Sequence, residues 1–192
     1  MKIILASGSP RRKDLLKLVV PEFDIMVSGV DEKLEEGLTV QDQVMRLSYI
    51  KAKDIYEKTS GDRLIIGSDT VVTKNGQIYG KPKNRNHAKQ MIKELLEDQK
   101  KHKVVTGLCV IVEENGKYKE YKTFDEVTVF FKDISDREID KWLDTGNAMD
   151  KAGAYAMQNE FCIFIDKIEG NYMSAVGLPT QKLYDIIKNY IN

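Results

Sequence analysis

Long apolar runs, net charge, histidine, proline and cysteine are all scarce in this sequence, and each shortage removes a class of function. No stretch reaches the roughly 18 uncharged apolar residues that a membrane-spanning helix needs. Thirty Lys plus Arg balance thirty Asp plus Glu, so no global positive field draws the chain to nucleic acid or to an anionic membrane. Phosphate recognition, if present, has to be local. The two histidines are His87, in a charged helical stretch, and His102, between lysines; neither has a ligand or a serine at a recognisable spacing, which disfavours zinc and Ser-His-Asp chemistry. The two cysteines, Cys109 and Cys162, sit in strand-like apolar settings where a thiol acts as a small hydrophobe, so no disulfide framework is indicated. Four prolines and no low-complexity tract mark no linker, and 192 residues at 42% hydrophobic suit a single domain, 1–192, with a substantial core. Arg11-Arg12-Lys13 follows Met1 too closely for the apolar region of a signal peptide, so a soluble, cytoplasmic chain is expected.

What is present alternates between strand and helix. Lys2 to Ala6 reads as a buried strand, Ser7-Gly8-Ser9-Pro10 as a small-residue loop, and Arg11 to about Val19 as an amphipathic helix. A short strand near Phe23 to Val27 and an acidic loop with Asp31-Glu32 precede Thr39, an N-cap for a helix carrying Val40, Val44, Leu47, Lys51 and Ile55. The apolar strand Leu64 to Val72 continues through the hairpin signal Asn75-Gly76 into Gln77-Ile78-Tyr79, and a helix follows from Arg85 to about Glu97. Strands near Lys103 to Glu113 and Tyr118 to Phe131 are joined by Asn115-Gly116, and Ser135 with Glu138 forms a capping box for a helix ending at Gly146. A loop from Asp150 to Gln158, a strand near Phe161 to Ile168, a Gly-containing loop and a helix after Pro179-Thr180 close the chain. Because Asn-Gly hairpins demand antiparallel pairs, the expected fold class is α/β with a mixed sheet and flanking helices.

Four segments carry chemistry. Asp69 lies inside the apolar Leu64-Ile65-Ile66-Gly67-Ser68-Asp69-Thr70-Val71-Val72, where an ionised carboxylate is costly unless paired or holding a metal; the bland alternative is a polar-face or strand-end position. Ser7-Gly8-Ser9-Pro10-Arg11-Arg12 combines small residues, hydroxyls, a helix N-terminus and two forked cations, which suits a phosphate, or else a plain N-cap and a solvated basic turn. It lacks the Gly-Lys-Ser/Thr ending of a Walker loop and is not Gly-x-Gly-x-x-Gly, so kinase and dehydrogenase readings lose support. Gly80-Lys81-Pro82 and Asp150-Lys151-Ala152-Gly153-Ala154-Tyr155-Ala156-Met157-Gln158 are each weak alone. Taken together, fixed cations and separated carboxylates are the kit for metal-assisted attack on a phosphate anhydride.

Those segments, with Asp31-Glu32, Lys51-Ala52, Gly170-Asn171-Tyr172 and Val176-Gly177-Leu178-Pro179, occur in register over nearly the whole chain, and in that order they resemble the Maf family of nucleotide pyrophosphatases. The resemblance implies an elongated, two-lobed fold similar to inosine triphosphate pyrophosphatases with a central cleft, usually a homodimer, and hydrolysis of a nucleoside triphosphate to the monophosphate and pyrophosphate with a divalent metal, Mg²⁺ or Mn²⁺. It further implies that Asp69 activates water, that Ser7, Arg11, Lys51 and Lys81 bind phosphate, and that Glu32, with Asp69, stands on the metal side. Arg12, Thr70 and Gln158 occupy the positions that separate the branches, and their pattern looks like the dTTP/UTP branch, with CTP and modified pyrimidine nucleotides as further candidates. Met157 departs from the small aliphatic residue that often precedes the glutamine. A primary amide such as Gln158 matches the N3–H and adjacent carbonyl of uracil or thymine. The rival readings are a non-catalytic nucleotide-sensing or septum-inhibiting protein, which needs no Asp69, and a purine-directed, inosine-triphosphatase-like hydrolase.

Overall fold

A computed structural model describes residues 1–191. In chain order the elements are β1 (Lys2–Leu5), α1 (Pro10–Lys17), β2 (Asp24–Ile25), α2 (Val40–Glu57), β3 (Arg63–Lys74), β4 (Gln77–Tyr79), α3 (Arg85–Leu96), β5 (Lys101–Glu114), β6 (Lys117–Phe131), α4 (Asp136–Asp144), β7 (Ile165–Glu169), α5 (Tyr172–Val176) and α6 (Thr180–Ile187). The strands form one mixed sheet in the order β2-β1-β3-β5-β6-β7, with β4 beside β3. By contact density the chain divides into two compact units, each assembled from separated stretches: the first from Met1–Asp69, Thr106–Asp125 and the chain from Gly177 onward, the second from Thr70–Val105 and Glu126–Val176. Among the described residues no helix is long and apolar enough to cross a membrane.

In the first unit β1 pairs in parallel with both β2 and β3, Ile4 opposite Asp24 on one side and Ile65 on the other. Parallel neighbours require crossovers, and α1 and α2 supply them. Pro10 opens α1, where its missing N–H costs nothing, and Thr39 caps α2 by accepting from the Asp42 N–H at 3.1 Å. Ile4, Ala6, Ile65, Cys109 and Ile111 bury themselves with Ala52 and Ile55 of α2. Residues two apart on a strand share a face, so Gly67 and Asp69 follow Ile65 on that same side of β3.

In the second unit Asn75 and Gly76, at φ 52° and 80°, turn β3 into β4 as the two-residue hairpin requires. Asn84 caps α3, the capping box of Ser135 and Glu138 opens α4, and the two helices are laced by Arg85 to Asp140 and Asp144, Lys89 to Asp140 and Lys93 to Asp136. The buried Lys74 ammonium donates to the carbonyls of Glu94, Leu95 and Glu97, satisfying the open C-terminal turn of α3. The core is aromatic: Phe131, Tyr155, Phe161 and Trp142 meet mostly edge to face, and the Trp142 indole donates to Ala154 O at 2.8 Å. His102 joins it, 2.6 Å from the Tyr155 hydroxyl.

Two expectations need correcting. Phe161 does not begin a strand; Glu160–Phe164 is a 3₁₀ segment and β7 starts at Ile165, because Phe161 turns fully inward while Ile163 turns outward, a spacing that a pleat would not give. Cys162, on that turn, is therefore exposed, whereas Cys109 is buried as anticipated. The loop read around Gly170 also contains the short helix α5.

Burial, reinforced by the Lys74 charge, pushes the His102 imidazole down to about 3. Its unfolded value lies near 6.5, so below that pH the unfolded chain binds a proton that the folded one refuses, and stability falls as pH drops from about 6.5 toward 3. Urea midpoints at pH 7 and pH 4.5 should show a loss on the order of 2 kcal/mol that the variant His102→Gln lacks; an equal loss in both proteins would contradict this.

Candidate functional site

The site begins with two glycines that let a helix lie on the sheet backbone. A Cβ on Gly67 would stand 2.2 Å from Ser48 O, and one on Gly107 the same distance from Val44 O. Only hydrogen fits there, so α2 settles directly onto β3 and β5. Three residues past Ser48, on the same helical face, Lys51 is carried over the strand position two residues past Gly67, which is Asp69. The Lys51 ammonium donates to Asp69 Oδ1 at 2.6 Å, and their side chains are 8% and 9% exposed. The strand aspartate of the sequence is thus a paired, nearly buried carboxylate.

The same ammonium lies 2.9 Å from Glu32 Oε2, whose side chain is 59% exposed. Glu32 belongs to an open loop fastened to α2 independently of that pair. Gly29 N–H donates to Asp54 at 3.1 Å, Gln43 Nε2 donates to Glu35 O, and Arg46 both pairs with Glu35 at 2.6 Å and donates to Lys33 O at 3.2 Å. Sequence reading passed over Gln43 and Arg46, because their partners are backbone carbonyls and a neighbouring acid with no pattern of spacing.

The first loop is organised by Arg12. Its guanidinium donates through Nη1 to Ser7 Oγ at 3.1 Å and through Nε to Gly177 O at 2.9 Å. The Ser68 hydroxyl reaches that same carbonyl at 3.0 Å and Gly107 O at 2.8 Å, which joins the loop, the strand of Asp69 and the segment before α6. Burial pushes the Arg12 guanidinium below its usual value; Asp69 and Glu32 oppose that, while Arg11, half-buried beside it, adds to it. Ser68 and Gly177 lie inside the quoted motifs, yet only their long-range hydrogen bonds disclose their part.

Ser7, Arg12, Glu32, Lys51 and Asp69 are therefore gathered in the first unit, which also holds Arg11. Thr70, Lys81 and Gln158 belong to the second. Thr70, half-buried, points to the face of β3 opposite Asp69. Gly80 O accepts from Gly153 N–H at 3.1 Å, and a Cβ on Gly153, at φ +66°, would stand 3.0 Å from the Val72 side chain, so the two weak loop motifs meet beside β3. Lys81 is exposed, as is Gln158, and Lys151 is paired with Asp150.

Chemically the first unit offers a fixed, paired carboxylate, a second carboxylate on an open loop, and cations from α1 and α2. No group of three or more His, Cys, Asp or Glu placed to hold a metal ion occurs among the described residues. Two carboxylates converging on one point nevertheless suit a hard cation such as Mg²⁺, which keeps waters or phosphate oxygens for the rest of its shell.

Comparison with known proteins shows what the chain as a whole is similar to. The Maf-like protein family matches residues 2–190. The chain is 41% identical over 191 residues to a protein of Alkaliphilus oremlandii called dTTP/UTP pyrophosphatase, covering 100% of this chain and 97% of the relative. Relatives of the same description from Desulforamulus reducens, 44% identical over 189 residues, and Bacillus cereus, 40% identical over 189 residues, cover 98% of this chain and 96% and 95% of their own lengths. Among solved structures, a nucleoside-triphosphatase / dITP/XTP pyrophosphatase of Mycobacterium abscessus is similar at 15% identity with a TM-score of 0.43, covering 70% of this chain and 76% of its own.

The close approach of α2 sets a test of its own. Gly67→Ala must push the helix backbone away, costing about 1–3 kcal/mol or more, whereas Gly29→Ala, with nothing within 4 Å of the added carbon, should leave the denaturation midpoint within about 0.5 kcal/mol. Equal midpoints for the two variants would show that the helix is not held by that contact.

Proposed function

The chain belongs to the Maf-like protein family, and on that premise we propose that it is a nucleoside triphosphate pyrophosphatase, hydrolysing dTTP and UTP between the α- and β-phosphates. The observation that carries the reading is the nearly buried Asp69, held through Oδ1 by a lysine that a second carboxylate shares. Two carboxylates at the point of contact repel a polyanion unless a metal or a water mechanism makes use of them. A hydrolase does: a water oxygen bonds to the α-phosphorus, its proton passes to Asp69, and the bond to the bridging oxygen breaks to release pyrophosphate.

Within this reading Ser7, Arg11, Lys51 and Lys81 bind the phosphates. Arg12 contributes charge and also fixes the Ser7 hydroxyl, to which it already donates. Glu32 and Asp69 are the side chains that would hold a divalent cation, Mg²⁺ or Mn²⁺, which when bound neutralises charge on the phosphate oxygens. Thr70 and Gln158 are assigned to the nucleoside end, with Gln158 pairing its amide to the imide edge of the pyrimidine. A homodimer in the cytoplasm completes the proposal.

Chromatography of the products from dTTP, UTP, CTP, modified pyrimidine nucleotides, GTP and ITP, with Mg²⁺ or Mn²⁺, tests it directly. Monophosphate and pyrophosphate from the first two are expected; purine-only turnover, or none, would replace it with one of the rival readings. Asp69→Asn keeps the shape but not the proton acceptor, so kcat should fall by roughly 10²- to 10⁴-fold, and a kcat matching the parent would remove Asp69 from the chemistry. Gln158→Ala should lower kcat/KM for UTP and dTTP more than for CTP, by the roughly 0.5–1.5 kcal/mol of one net hydrogen bond. A uniform loss on UTP, dTTP, CTP and GTP would show that Gln158 supports the fold and does not read the base.

A further inference from the structure

The position of Lys51 bears on how a metal enters this site. A lone surface glutamate beside a lysine contributes little and would merit no comment. Here the lysine rises from a helix that the Gly67 and Gly107 contacts press against the sheet, so its origin is fixed. Asp69 is fixed by its strand. The loop carrying Glu32 is tied to Asp54, Gln43 and Arg46 by bonds that do not involve Glu32 itself. Three separate pieces of structure thus deliver two carboxylate oxygens to within 2.6 and 2.9 Å of one ammonium nitrogen. A cation is provided for at that point whether or not a metal is present.

We propose that the Lys51 ammonium is a built-in counter-ion competing with the divalent cation for the Glu32–Asp69 pair, so that metal entry releases Lys51 to meet the triphosphate. The inference rests on the assignment of Glu32 and Asp69 as the cation-holding side chains in the proposed function. Two carboxylates brought together without a cation repel each other across a partly water-excluded gap. Lys51 removes that repulsion in the resting protein, and the same charge raises the barrier to any second cation. A lysine suits this part: its ammonium is a compact point charge on a flexible stem, able to leave one set of oxygens for another without moving the backbone, as a forked guanidinium held by two acceptors cannot. The arrangement would couple metal and substrate, since the charge displaced by one is the charge that attracts the other.

The test measures Mn²⁺ binding to the metal-free protein by calorimetry with no nucleotide present. Lys51→Met, similar in length but neutral, should bind Mn²⁺ at least about tenfold more tightly than the parent, whereas Lys51→Arg, which keeps the charge, should not. Adding Glu32→Gln to Lys51→Met should abolish the gain. Because Lys51→Met leaves Asp69 unpaired and lowers stability, thermal unfolding provides a second measure: saturating Mn²⁺ should raise the Tm of Lys51→Met by clearly more than it raises that of the parent. Unchanged or weaker affinity in Lys51→Met, or equal Tm shifts, would overturn the proposal. If the parent cleaves dTTP while the variants bind Mn²⁺ alike, the competition is wrong and the hydrolase reading stands; tighter Mn²⁺ binding in a protein that cleaves no nucleotide gives the converse.

Discussion

Everything at the site follows from how near α2 comes to the sheet. Helices ordinarily rest on side chains, but at Gly67 and Gly107 the carbonyl oxygens of Ser48 and Val44 lie 2.2 Å from where a Cβ would be. That contact sets the height of the helix over β3 and so the reach of Lys51 to Asp69. It also explains why an aspartate can occupy an otherwise apolar strand: the helix face passing above it supplies the cation. Exchange of such a buried pair for well-packed apolar side chains is often neutral or stabilising, while removal of one partner alone costs roughly 3–5 kcal/mol. The pair is thus poorly explained by stability and better explained by use.

The electrostatics are arranged by neighbourhood and not by total charge. With as many acids as bases overall, the molecule presents no long-range attraction for a polyanion, yet the first unit places Lys51 on α2 and Arg12 at the start of α1 near two carboxylates, with Arg11 beside Arg12. The two kinds of cation differ in freedom. Arg12 is committed to Ser7 and Gly177 by a planar fork, whereas Lys51 holds its oxygens through a single rotatable ammonium.

Much of this was legible in the residues. The Asn-Gly turns, the Thr39 cap, the capping box at Ser135 and the mixed sheet follow from local chemistry, and Asp69 declared itself by being misplaced. What local chemistry does not encode is distance across the fold. Nothing near Gly67 in sequence announces that Ser48 will lie against it, and Lys74 looks like a strand-end lysine until the end of α3 is seen above it. Cys162 illustrates the same limit: Phe161-Cys162-Ile163-Phe164 is apolar throughout, and only the demand of the aromatic core for Phe161 decides that the segment coils and leaves the thiol outside.

The carbonyl of Gly177 has a consequence for the order in which the molecule can be completed. Arg12 and Ser68 both depend on an acceptor that lies more than a hundred residues further along the chain, and the last stretch of the unit containing them begins only at Gly177. During synthesis the first 69 residues emerge long before that acceptor exists, so a nascent chain carries the loop and the strand with their shared anchor still missing. Long-range closure of this kind is slow and entropically costly. The amino-terminal portion must therefore wait for the carboxyl-terminal one, and a ribosome stalled before Gly177 would hold a chain whose site has every reacting residue but no keystone.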